Sequence, residues 1–459
     1  MSTIGRSRFS QARRSFSLDD PMRIAWFTHR YYPVVSGAEN FGREMVRRFV
    51  ADGHDVDVIT SDADNLGYFT NPAIGPVSAP EVSTVDGARV RRLAVKHRFG
   101  QKYAGRLLSF LPHWPTQCRY ESFMPIIPGI DRIRGDFDAV FAVGFPYTIF
   151  SYAARQTARA ADSPLILTPF LHLATPGDPV NRSYTRPHQS RLLREADAVV
   201  VQTRLEADAI ADRGVDRAKT LILGMGVDQA DVVNGDTRRF REQFAIPQAR
   251  RVIGHLATLD PNKGTTDLVL AVNALNAERM EDPIHLLLAG PTSVAFDAFA
   301  STIPKDCERW ISRTGPLPMD RRADFFAAID VFAMPSRTDS FGIVFLEAWA
   351  NGLPVVGASA GGVAEVIKDR HDGLLVPFGD VGRLAMALER LVTDPSLARS
   401  FGRNGKAKIA RGYSWDDRYR TLLERTQALI ARSGPRVDLG HGQITLARPL
   451  TGVEDSSIV

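Results

Sequence analysis

Apolar and polar positions fall into blocks that switch between two periods along this chain. Short apolar runs at Met22 to Thr28, Val56 to Thr60, Ala139 to Val143, Leu165 to Thr168 and Ala198 to Val201 have the length and content of strands buried on both faces. Arg89 to Leu93 reads as a further strand. Stretches with helical spacing lie between them: over 38–52, Phe41, Met45 and Phe49 share one face and Gly53 is the stop signal. More helices are expected at 146–161 and 186–195. The alternation returns with strands at Val252 to Leu256, Leu286 to Ala289, Val331 to Met334 and Leu353 to Val356, and a helix near 265–279. Strands alternating with helices imply parallel sheets covered on both faces, so the pattern predicts an α/β chain of two Rossmann-like, doubly wound halves.

Residues 229–250 are polar and read as the linker between those halves. The expected division is a disordered basic arm (1–21), a first domain (22–228), the linker, a second domain (251–412), a C-terminal helix (413–432) and a loose tail (433–459). A length of 459 residues suits two cores better than one, and 44% hydrophobic with 24% charged residues is ordinary for a globular protein. The two cysteines, Cys118 and Cys307, are far apart and in no paired motif, which argues against a disulfide framework or a zinc site and fits a reducing compartment. The first twenty residues are rich in Ser and Arg and lack the apolar core of a secretory signal, a transit peptide being the alternative. No apolar stretch long enough for a transmembrane helix occurs.

The densest chemistry lies at 330–376. The run Val331 to Met334 ends at Pro335, a polar turn follows, and a helix is expected from about Phe341 through Glu347 to Asn351, stopped by Gly352 and Pro354. First-turn amides near Phe341 and Gly342 would offer an anion site, with Asp339 beside it. Eight residues of helix would set Glu347 about 12 Å beyond Asp339, a spacing that suits the two ends of a nucleoside diphosphate sugar. Gly361 and Gly362 would bring more free backbone to the same edge. The plainer alternative makes Asp339 a helix-start charge and Glu347 a solvated one.

These residues resemble the retaining GT-B glycosyltransferases of group 1. The similarity rests on Asp339, Ser340, Phe341, Gly342, Glu347, Ala348, Gly352, Pro354, Val355 and Val356, then on Gly361, Gly362, Glu365, Val366 and Ile367, and finally on Gly373 to Pro377 with Gly379 and Asp380. Asp339 stands where that family usually has Glu. The resemblance implies a GT-B fold, two Rossmann-like domains facing a central cleft, with the last helix crossing back to the first domain. It also implies that Asp339 orients the sugar, Glu347 holds the ribose, and Ser340, Phe341 and Gly342 line the donor site.

Other positions extend it. Lys263, in Asp260 to Gly264, matches a diphosphate ligand, and the family's partner Arg falls on Thr258, so that half of the clamp is absent unless Arg337 or another cation substitutes. His172 sits where many members have a sugar-facing histidine, or is a loop histidine satisfied locally. Ser36 and Glu39 read as a capping box, with phosphate or sugar contact through the Gly37 amide as the alternative. Asp136 and Asp138 have the spacing of a metal-binding pair but precede their strand, so no metal is expected. Lys96 to Trp114 combines basic residues with apolar ones and reads either as a face for an anionic membrane or as an ordinary amphipathic helix. A net charge of +5 leans mildly toward acidic lipid or phosphate, and no nucleic-acid module is seen.

The expected activity is therefore transfer of a hexose, with retention and without a metal or other cofactor, from a UDP- or GDP-sugar to a glycan or lipid-linked acceptor. Its setting would be polysaccharide, glycolipid or cell-envelope synthesis in the cytoplasm, at the inner membrane face. The alternative is a catalytically degenerate GT-B partner subunit that binds nucleotide or glycan without transfer.

Overall fold

The apolar runs assemble into two separate sheets. The computed structural model describes residues 13–14, 20–76, 79–97, 125–279, 281–432 and 436–437. The first sheet holds β1 (Arg23–Thr28), β2 (Asp55–Ser61), β3 (Glu81–Val85), β4 (Ala88–Leu93), β5 (Ala139–Val143), β6 (Leu165–Thr168), β7 (Ala198–Val201) and β8 (Thr220–Ile222), in the order β3-β4-β2-β1-β5-β6-β7-β8. All its pairings are parallel except the β3–β4 edge hairpin, which turns at Asp86 and Gly87, both at positive φ. The second holds β9 (Val252–Leu256), β10 (His285–Ala289), β11 (Ile311–Gly315), β12 (Val331–Met334), β13 (Val355–Ala358) and β14 (Gly373–Val376), all parallel, in the order β11-β10-β9-β12-β13-β14. In each sheet the order reverses beside the first strand, and the carboxyl ends of the strands flanking that point open a crevice suited to a ligand.

Around the first sheet pack α1 (Gly37–Ala51), α2 (Ile149–Ala161), α3 (Pro187–Glu195) and α4 (Arg204–Ala211). The second carries α5 (Thr237–Gln243), α6 (Thr265–Ala277), α7 (Val294–Ala300), α8 (Arg322–Ala328), α9 (Ile343–Ala350), α10 (Val381–Thr393) and α11 (Pro395–Ile409). Strand β13 starts two residues later than expected, because Pro354 has no N–H to give a ladder and only its carbonyl is used, by Phe332. Within 229–250 the polar residues conceal α5, capped by Asp236 and seated by Phe240, which is fully buried beside Phe325.

The last helix, α12 (Trp415–Arg432), lies against α1: Tyr419 meets the edge of Phe49 at 5.0 Å and donates to Asp52 at 2.6 Å. The two passages of chain between the sheets run side by side there, with the Val227 N–H donating to the Tyr413 carbonyl at 2.8 Å. Gly226 is required at this crossing, since a Cβ would come within 2.8 Å of Trp415. Most of the Lys96 to Trp114 stretch, the N-terminal arm and the C-terminal tail lie outside the described residues, apart from a two-residue antiparallel pairing of Arg13–Arg14 with Arg436–Val437. No helix among the described residues is long and apolar enough to cross a membrane.

Candidate functional site

The loops that leave β9 and β12 are sewn together at the carboxyl edge of the second sheet. Asp260 caps the turn Pro261–Lys263 through the Asn262 N–H, and Gly264 adopts φ +72 so closely under Pro335 that a Cβ would lie 2.2 Å from its carbonyl oxygen. The Asn262 carbonyl accepts from the Arg337 N–H at 2.8 Å and from Ser336 at 3.2 Å. Behind this seam the fully buried His255 bridges the Ala333 carbonyl and Thr265, and burial pulls its pKa down to about 4, so it is a neutral strut. Lys263 and Asp339 consequently meet at 2.8 Å. Burial opposes the charge on Asp339, but Lys263, His172 and Ser336 outweigh it and hold the carboxyl below its usual range.

His172 comes to the same point from the first domain, on the loop after β6. It bonds the Thr338 backbone and packs 5.5 Å from the Tyr184 ring. Burial and the Lys263 charge lower its pKa, so the imidazole is neutral at pH 7. Tyr184 is raised to about 12 by burial, Tyr147 and the Asp339 charge. The three residues expected to be catalytic, Asp339, Lys263 and His172, are therefore brought together across the cleft.

The expected donor residues divide. Glu347 sits apart, 2% exposed and paired with Arg322 of α8; its Oε2 has no hydrogen-bond partner, and burial raises its pKa despite Arg322. It is not the solvated helix charge of the plainer alternative. Ser340 is buried, and the Phe341 ring packs toward Tyr413 and the backbone at Gly224. The helix starts at Ile343, after Gly342 at φ +84, so Asp339 and Glu347 do not share one helix and the 12 Å helical spacing does not apply. Thr258 is exposed in the loop after β9. Gly37 opens α1 with nothing within 4 Å of a Cβ built on it.

Two local expectations are corrected. Ser36 and Glu39 form no capping box: the Ser36 hydroxyl donates to the Glu39 carboxylate, which also pairs with Arg30 at 2.9 Å, and no side chain caps α1. An available cation outcompeted the Ser36 amide for that carboxylate. Gly362 does not supply free backbone, since its N–H donates to the Asp339 carbonyl at 2.7 Å, and Cβ atoms on Gly361 and Gly362 would collide with Asp339 and Ser340. Arg337, the expected substitute cation, makes a bidentate pair with Asp178 of the first domain. Asp138, set aside as a metal ligand, accepts from the Arg23 N–H at the sheet's opposite edge.

Sequence reasoning missed Arg322, Asp178, His255, Tyr184 and the role of Glu365, which reaches across the cleft to the Arg204 and Leu205 N–H groups at the start of α4, at 2.9 and 2.5 Å. No local signal marks these pairings, whose partners are mostly distant in sequence.

Residues 36–226 match the model of the glycosyl transferase 4-like domain and residues 236–408 that of glycosyl transferases group 1. The chain is similar to D-inositol 3-phosphate glycosyltransferases of Nocardia farcinica (29% identical over 275 residues, 58% of this chain and 60% of that one) and Stackebrandtia nassauensis (33% over 263 residues, 55% and 58%). It thus spans about 60% of the length of these curated relatives. Among solved structures, Anabaena HepE with UDP and glucose superposes with a TM-score of 0.66 at 17% identity, covering 89% of this chain and all of that one. Sucrose-phosphate synthase of Thermosynechococcus elongatus gives 0.65 at 19%, covering 90% and all.

Proposed function

Starting from a chain that belongs to the group 1 glycosyltransferases and has their GT-B fold, we propose that it transfers a sugar, with retention, from a nucleoside diphosphate donor to a glycan or lipid-linked acceptor. The observation that carries this is the meeting of Lys263, Asp339 and His172 where the carboxyl edges of both sheets face each other. The diphosphate takes Lys263 and the backbone N–H groups after Gly342, whose dipoles favour the charge that develops on the leaving group. Asp339, released from Lys263, receives a sugar hydroxyl. Glu347 takes the ribose through its unpartnered Oε2. His172, neutral and held by Thr338, faces the sugar from the first domain, which binds the acceptor. A departing phosphate oxygen accepts the acceptor's proton on the same face, so no separate protein base or metal is invoked. HepE, which shares the fold, was solved with UDP and glucose, and this supports a UDP-sugar as the first donor to try. Cytoplasmic work on envelope or glycolipid acceptors at the inner membrane face completes the reading.

Melting the protein with UDP, GDP, ADP and their sugars, with and without Mg²⁺, tests it. A ligand at about a hundredfold its dissociation constant stabilises by about 2.7 kcal/mol. A shift with one base that Glu347→Ala abolishes is expected; no shift with any nucleotide would sink the transferase reading. Thr258, exposed and uncharged where a second cation is expected, favours the degenerate-subunit alternative. Donor hydrolysis without acceptor separates the two, since a pure binding subunit shows none.

A further inference from the structure

Arg337 hangs from the same seam as Lys263, its N–H on the Asn262 carbonyl and its Nη1 3.4 Å from the Asn262 side-chain oxygen. Its guanidinium points away from its own domain. Nε and Nη2 grip both oxygens of Asp178, at 2.9 and 2.8 Å, on the loop that also carries His172. The Asp178 carboxylate does not need Arg337 for its orientation: the Val180 N–H holds Oδ1 at 2.9 Å, and that bond together with Arg337 keeps the acid below its usual pKa. Arg337 keeps 35% of its side chain exposed, so its present partner is exchangeable.

Lys263 and Arg337 thus sit on stitched loops at the cleft, each matched by one carboxylate, Lys263 with Asp339 and Arg337 with Asp178. A diphosphate adds at least two negative charges to this neutral set. The planar fork of an arginine suits phosphate oxygens as well as it suits a carboxylate. We propose that Arg337 is the second diphosphate-binding cation of this chain, and that Asp178 is the place-holder it leaves when the donor arrives. Donor binding and the bridge between the domains then compete for one guanidinium, so the donor loosens the mouth of the cleft as it binds. Departure of the nucleoside diphosphate restores the bridge. This rests on the donor site proposed above.

Calorimetric titration of UDP, GDP and ADP into the wild type and the Arg337→Met, Arg337→Lys and Asp178→Asn variants tests it, with ligand-free melting as the control for folding. Arg337→Met should weaken diphosphate binding roughly tenfold or more, the worth of a charge-assisted hydrogen bond, and Arg337→Lys should recover part of it. Asp178→Asn should tighten binding severalfold, because the competitor is gone. The nucleoside monophosphate should respond less to all three. If the bridge is only a strut, Arg337→Met and Asp178→Asn move affinity in the same direction, and the proposal is overturned while the donor site stands. A wild type that binds no nucleoside diphosphate overturns both.

Discussion

Among the described residues, two stretches of contact between the domains are built from different materials. At the crossing, Trp415 is 2% exposed, stacked over the space left by Gly226 and 6.3 Å from Phe41, and Arg48 ties α1 to Asp228 and Asp416 at 2.7–3.1 Å. At the mouth the described contacts are polar: His172 on the Thr338 backbone, Arg337 on Asp178, and Glu365 on the first amides of α4. Burying an aromatic side chain is worth several kcal/mol, whereas exposed ion pairs are worth about 1 kcal/mol or less. The crossing is therefore a permanent axis. The mouth can exchange its partners for a ligand, which is what a cleft that admits and releases the proposed donor requires.

Substitutions on the two sides should separate stability from function. Trp415→Ala should cost about 3–5 kcal/mol, as truncation of a buried aromatic does, and lower the denaturant midpoint; an unchanged midpoint would remove the crossing from the frame. Lys263→Ala should cut turnover about a hundredfold or more while lowering the melting temperature far less than Trp415→Ala. Acid should reach the buried histidines before the ion pairs of the mouth. His29 and His255 are buried and held near pKa 4, so each binds a proton when unfolded, at about 6.5, that it refuses when folded. Stability is then lost as pH falls from about 6.5 toward 4, by up to about 2 kcal/mol per histidine at pH 5, while Asp339 and Asp178 stay ionised. Denaturant titrations at pH 7 and pH 5 check this, and a flat profile would contradict it. Smallest of all, Glu365→Gln should leave melting within about 0.5–1 kcal/mol of the wild type while raising the donor KM, a change that steady-state rates resolve.

What could be read in the chain followed burial. Ala139–Val143, Leu165–Thr168, Ala198–Val201, Val252–Leu256 and Val331–Met334 were legible to the residue because central parallel strands are apolar on both faces. Strands β3 and β11 were not, since sheet edges keep polar residues exposed and lose the run that marks a strand. The identities of Lys263, Asp339 and His172 were legible from motif context. Their partners were not: Arg322 for Glu347, Asp178 for Arg337 and the α4 amides for Glu365 lie 25 to 161 residues away, and only the folded chain brings them within reach. The start of α9 was misplaced because nothing local announces that Gly342 will take a left-handed turn before the helix.

Glu365 fills, with a carboxylate of the chain itself, a helix start that would otherwise draw an anion from solution. The consequence is a sensitivity to ionic strength. Salt screens such surface charges over about 10 Å at 0.1 M and about 3 Å at 1 M, and dissolved anions compete for the same amides. Concentrated salt should therefore hold the jaws apart and slow the proposed transfer while leaving the Trp415 axis, and the melting temperature with it, almost untouched.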